Sequence, residues 1–173
     1  MNESERMRSL NLAILTVSDT RTNEDDISGD LLIELVTSSG HAVISKEIVK
    51  DDIYQVRSIV SQWIADDGIE VIITTGGTGI TGRDSTPEAL EPLFDKVLAG
   101  YGEMFRVLSY EDIGASTIQS RCIAGVANAT MVFSLPGSMG ACRLGWEKLL
   151  GPQLCSDTKP CNFADLIPRL REK

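Results

Sequence analysis

The run IEVIITT at 69–75 constrains this chain more than any other stretch. Its β-branched residues do not alternate with polar ones, which is the pattern of a strand covered on both faces, and such strands belong to parallel sheets flanked by helices. Parallel neighbours need crossover connections, so helices must alternate with strands along the chain. Residues 11–18, NLAILTVS, form another apolar run closed by Asp19, and DISGDLLIELVTSSG then carries Ile27, Leu31, Leu32, Leu35 and Val36 at helical spacing before Gly40. HAVISKEIV alternates as a strand. Asp51 or Asp52 caps the next helix, whose buried stripe is Ile53, Val56, Ile59, Val60, Trp63 and Ile64. Beyond the central run the pattern predicts a helix over PEALEPLFDKVL with Pro87 in its first turn, and another within YGEMFRVLSYEDIG. A buried strand over 130–135 and a loop and helix in GSMGACRLGWEKLL complete the alternation. The expected architecture is a three-layer α/β/α single domain with a mostly parallel sheet, and 173 residues leave room for one such core. The boundaries expected are a flexible N-terminal segment over 1–10 and the domain over 11–173.

Charge narrows the function. Sixteen Lys and Arg stand against 25 Asp and Glu, a formal net charge of −9, so the long-range positive field of a nucleic-acid binder is missing. An anionic ligand therefore needs local help from backbone N–H groups, placed arginines or a divalent metal. No stretch approaches the ~18 apolar residues of a membrane helix, and MNESERMRSL lacks the apolar region of a secretion signal, so a cytoplasmic location is expected. Cys122, Cys142, Cys155 and Cys161 form no C-x-x-C pair, which argues for reduced packing thiols rather than a zinc ribbon or disulfide scaffold. The single histidine, His41, falls at the wrong end of a strand to serve a triad, and this leaves Ser18 and Ser138 poor nucleophiles.

In open α/β sheets ligands sit beyond the carboxyl ends of the strands. Ser18 and Asp19, the segment 76–86, and the segment 136–138 should meet at that edge, with Asp51 and Asp52 as a fourth contributor. Gly77-x-Gly79-x-x-Gly82 matches a dinucleotide fingerprint literally, but Arg83 to Pro87 intervene before a helix can start, and the lysine of a P-loop is absent. Gly76, Gly77 and Gly79 around Thr78 still allow N–H groups to converge on an anion, against the plainer reading of a flexible turn. Asp84 on that loop and Asp51 at the neighbouring strand exit, with no histidine or cysteine beside them, suit Mg²⁺; each also suits a helix cap, and Asp19 a turn.

The segments TVSD (16–19), TTGGTG (74–79), GRDSTPEA (82–89), GYGEMFR (100–106) and LPGS (135–138) occur in order, and together the chain resembles the molybdopterin-binding MogA/MoaB family. AGVAN (124–128) and KPCNF (159–163) are similar to the MoaB branch. The resemblance implies trimers, or hexamers made of two trimers, and adenylylation of molybdopterin by Mg-ATP with release of pyrophosphate. It implies catalytic and metal-holding roles for Asp51 and Asp84, phosphate contacts at Gly76, Gly77, Thr78 and Gly79, and nucleotide or pterin contacts at Ser18, Asp19, Glu88, Pro136, Gly137 and Ser138. Where other members carry Pro-Asp this chain has Lys50-Asp51, so the acid is kept in an altered loop. The alternative is a non-catalytic oligomer that holds molybdopterin or another protein of the pathway; a further one is pterin binding with ATP as a regulator.

Overall fold

The computed structural model describes residues 8–172. In chain order it contains β1 (Asn11–Val17), α1 (Ile27–Ser38), β2 (Ala42–Val49), α2 (Ile53–Ala65), β3 (Val71–Thr75), α3 (Thr86–Leu90), β4 (Lys96–Val97) and α4 (Ala99–Ile113). There follow β5 (Ala124–Ala127), β6 (Thr130–Leu135), α5 (Met139–Gly145), α6 (Gly151–Leu154) and α7 (Phe163–Leu166). The strands make one sheet in the order β2-β1-β3-β6-β5-β4. β2, β1, β3 and β6 run parallel, and β5 runs antiparallel to both its neighbours.

Side chains alternate across the sheet and build a core on each face. Leu12 and Ile14 of β1, Ile73 of β3 and Phe133 of β6 face Leu31, Leu32 and Val36 of α1, Phe105 of α4 and Trp146 beyond α5. Ala13, Leu15, Ile72 and Val132 face the other way, against Val56, Val60 and Trp63 of α2 and Ala89 and Leu90 of α3. This is the expected three-layer domain. Cys122 and Cys142 are buried in the first of these cores, where loss of solvation pushes both thiols up to about 11 and keeps them neutral.

Several expectations need correction. The helix expected over 87–98 ends at Leu90, passes through a 3₁₀ turn at Glu91–Leu93 and becomes β4. Pro92 lacks the N–H that an α-helix requires there and crowds the preceding turn. β5 lies in a stretch whose Ala and Gly content carries no strand signal, and its pairing turns a parallel sheet into a mixed one. Ile27 begins α1 at 47% exposure rather than joining its buried stripe. Of the segment 1–10 expected to be flexible, residues 1–7 lie outside the described residues. Leu10 is fully buried, and the Arg8 guanidinium donates to Ala164 O at 2.9 Å. Among the described residues no helix is long and apolar enough to cross a membrane.

Candidate functional site

Because β1, β2, β3 and β6 are parallel, their exits share one edge, and the expected segments meet there. Ser18 N donates to Val49 O at 2.8 Å, and Gly76 N donates to Leu135 O at 2.9 Å, so each exit is tied to its neighbour. Thr75 Oγ1 donates to Pro136 O at 3.0 Å.

The chain turns at the end of β3 through Gly76 and Gly77, with φ of 102° and 65°. A Cβ on Gly76 would stand 2.1 Å from Val17 O, and one on Gly77 2.4 Å from Thr86 Oγ1, so no side chain fits at either position. Four successive carbonyls of this turn are held by protein donors. Gly76 O accepts from Thr86 Oγ1 (2.9 Å), Gly77 O from Thr86 N (2.9 Å), Thr78 O from Arg121 N (3.0 Å) and Gly79 O from Arg121 Nε (2.6 Å). A planar trans peptide points its N–H opposite to its C=O, so holding these carbonyls also fixes the N–H groups that follow them, of which Gly79 N–H faces the Asp84 carboxylate.

The loop then closes on itself. Asp84 Oδ2 accepts from Thr81 N (2.8 Å) and Thr81 Oγ1 (2.7 Å), and Asp84 N donates to Thr81 O (3.1 Å). The Thr81 hydroxyl is the largest influence holding the Asp84 carboxyl below its usual range; burial opposes it, and Gly79 N–H and Arg121 assist. Asp51, buried at the β2 exit, reaches the same loop, where its Oδ1 accepts from Ser85 N (2.9 Å) and Ser85 Oγ (2.5 Å). Its Oδ2 lies beside Gly77. Capping of α2 falls to Asp52, whose Oδ1 accepts from Tyr54 N (3.0 Å) and Gln55 N (2.9 Å), and this leaves Asp51 for the loop. Asp19 takes a two-pronged ion pair from Arg83, Nε to Oδ2 at 2.8 Å and Nη2 to Oδ1 at 2.6 Å, and accepts from Asp51 N at 3.2 Å. The guanidinium of Arg83 is the main reason that Asp19 stays below the usual carboxylate range.

A cleft of about 420 Å³ opens on this turn. Gly76, Gly77, Thr78, Gly79, Asp84, Pro136, Gly137 and Ser138 line it, joined by Phe105 and Ser109 of α4, Gln119 at the end of the 3₁₀ segment Gly114–Gln119 that follows, and Ser120 just beyond it. Gly137 fits because a Cβ there would come within 3.3 Å of Gly76 Cα. Among the described residues Asp84 is the one charged side chain on the wall. The other expected residues stand elsewhere. Asp51 and Asp19 brace the loop, and Ser18 borders a recess of about 70 Å³ with Asp26 and Ser28. Glu88 is turned into a neighbouring cavity of about 540 Å³, paired with Arg121. Its partner there is Arg121, which the local sequence does not reveal. Among the described residues no group of three or more His, Cys, Asp and Glu side chains forms a ready metal site.

Sequence reasoning missed Arg121, which precedes the unforeseen β5, and the α4 residues that wall the cleft. It also missed Asp26, fully buried at the start of α1, where it accepts from Thr16 Oγ1 (2.7 Å) and Gly29 N (3.1 Å) and pairs with Lys46 (3.0 Å). For Asp26 a signal existed, an acid set directly before a helical stripe.

Comparison with known proteins gives a consistent picture. The profile of a family described as a probable molybdopterin binding domain matches residues 13–155. The chain is 54% identical over 152 residues to molybdenum cofactor biosynthesis protein B of Escherichia coli (strain K12), covering 88% of this chain and 89% of that one. It is 49% identical over 142 residues to the protein of the same name from Bacillus subtilis (strain 168), covering 82% and 84%. A crystal structure of molybdenum cofactor biosynthesis protein B matches with a TM-score of 0.83 at 49% identity, over 85% of this chain and 92% of that one. The tungsten cofactor synthesizing protein MoaB from Pyrococcus furiosus matches with 0.73 at 40% identity, over 81% and 89%.

Proposed function

The chain belongs to the family of probable molybdopterin binding domains, and from that membership we propose that its glycine-turn cleft handles molybdopterin in molybdenum cofactor biosynthesis, adenylylating it with Mg-ATP. One observation carries the reading: two strand exits, 76–79 and 136–138, meet around a cleft on whose wall Asp84 is the only charged side chain among the described residues. A polyanion entering there meets oriented peptide dipoles rather than the negative surface of the rest of the molecule. A cytoplasmic site of action goes with this reading.

In the proposed reaction the terminal phosphate of molybdopterin attacks the α-phosphate of ATP. One P–O bond forms, the bond to the β-phosphate oxygen breaks, and pyrophosphate leaves. Such transfers ask for positioning and charge compensation rather than a protein nucleophile, which suits a site without histidine. The turn orients phosphate oxygens, and the bonds from Thr81 keep Asp84 ionised and fixed. Asp84 on the cleft wall, with Asp51 Oδ2 beside Gly77, would offer Mg²⁺ hard oxygen donors with no imidazole at hand, and the nearby Cys122 thiol stays neutral, so a softer metal is less well matched. When bound, Mg²⁺ offsets the charge of the phosphates. Ser138 caps α5, accepting from Ala141 N at 3.2 Å, and so fixes the second loop.

Purified protein given molybdopterin and Mg-ATP should release pyrophosphate. Asp84→Asn should lower that rate by about 100-fold or more while the urea midpoint stays close to that of the unmutated protein. No release from the unmutated protein would overturn adenylylation and leave the non-catalytic molybdopterin-binding oligomer. We also propose that second copies of the chain cover α4, where Met104, Val107 and Tyr110 form an exposed apolar stripe at 47%, 58% and 61% exposure. Val107→Asp should then shift the sedimenting species from trimer or hexamer to monomer.

A further inference from the structure

We propose that Arg121 is a positioning residue of this site: its guanidinium joins the two ends of the 79–84 loop and so holds the Asp84 carboxylate in its working place. The inference rests on the role given to Asp84 above. Nε donates to Gly79 O at 2.6 Å and Nη2 to Asp84 O at 3.0 Å, while Nη1 is paired with Glu88 and the Arg121 backbone N donates to Thr78 O at 3.0 Å. One planar cation thus spans the start and the end of the loop, and Glu88 fixes its remaining edge.

The loop has few other restraints on that side. The bonds between Thr81 and Asp84 lie inside it, so they last only while its two ends are held together. A Cβ on Gly82 would meet nothing within 4 Å, so the tip is not held by packing. Asp19 and Asp51 hold the loop from the β1 and β2 exits, through Arg83 and Ser85. Arg121 holds it from the opposite direction, ahead of β5. A lysine in its place would keep the charge but could not present two parallel donors to two carbonyls at fixed spacing.

The test compares Arg121→Ala and Arg121→Lys by two readouts. In amide hydrogen exchange, Thr81 and Asp84 should exchange at least about 10-fold faster in both variants, while amides of β1, β3 and β6 keep their native rates. In pyrophosphate release, Arg121→Ala should lose about 100-fold in kcat with little change in KM for ATP, as misplacement of a positioned group predicts. Because Arg121 borders the open 540 Å³ cavity, methylguanidinium should restore part of that rate and methylammonium at equal ionic strength should not. Unchanged loop exchange, equal acceleration through the core strands, or equal rescue by methylammonium would each overturn the proposal. If the unmutated protein releases no pyrophosphate, the adenylylation reading falls, and exchange at Thr81 and Asp84 alone decides the role of Arg121.

Discussion

At the amino edge of the sheet, where β1 and β3 begin, charged groups spend themselves on one another. Arg8 pairs with Glu70, whose second oxygen accepts from Asn11 N at 3.0 Å; Leu10 N donates to His41 Nδ1 at 3.2 Å, and Arg171 pairs with Asp67 at 2.6 Å. A recess of about 200 Å³ there is walled by those same paired groups, Arg8, Asp67, Glu70 and Arg171. At the carboxyl edge β3 and β6 leave through Gly76, Gly77 and Gly137, and carboxylates tie down a loop around unfilled space. Density of charge therefore does not mark a site. What marks it is a backbone turned so that no side chain fills the gap between strand exits.

The carboxyl edge is most sensitive at Gly76. Gly76→Ala sets a Cβ 2.1 Å from Val17 O on a residue whose φ is 102°, and should cost about 3 kcal/mol or more in urea denaturation together with loss of ATP binding. A variant as stable as the parent would show that the glycine is not what opens this edge. Glu70→Gln should cost stability alone, about 1–3 kcal/mol, because the charged acceptor of Arg8 and Asn11 N is weakened. Its rate of pyrophosphate release should match the parent, and a fall in rate would mean that the two edges are coupled.

The smallest effect is one of pH. Burial, partly opposed by Glu70, holds His41 below its ordinary value, so its folded pKa lies under the unfolded one of about 6.5. The unfolded chain then binds the proton more tightly. Neutral His41 accordingly contributes stability that is present above about pH 6.5 and is lost as pH falls toward its folded pKa, with a slope of at most about 1.4 kcal/mol per pH unit. Urea midpoints at pH 7.5 and 5.5 should differ more in the parent than in His41→Asn, and equal differences would remove His41 as the cause.

Much of the fold was legible because its signals are local. The apolar runs of β1, β3 and β6 and the stripes of α1 and α2 arise from burial on one face or two, and burial leaves a period in the sequence. β4 and β5 left none. Their few residues form strands because the edge of β6 offers unpaired backbone groups to β5, and the edge of β5 in turn offers them to β4. Among the site residues, Gly76, Gly77 and Asp84 were readable, since a sharp turn after a buried strand needs glycine and an acid before a helix is conspicuous. Arg121 was not, because its two carbonyl partners lie 42 and 37 residues away and nothing near it in the chain speaks of them.

The amino-acid order alone determined that this chain forms a parallel-centred α/β domain whose strand exits share an edge, since hydrophobic period and turn chemistry act over a few residues. Only the tertiary structure decided which carboxylate faces the cleft, which ones brace the loop, and that Glu88 answers to Arg121. Those outcomes depend on distances between segments far apart in the chain, and they are set when the layers pack.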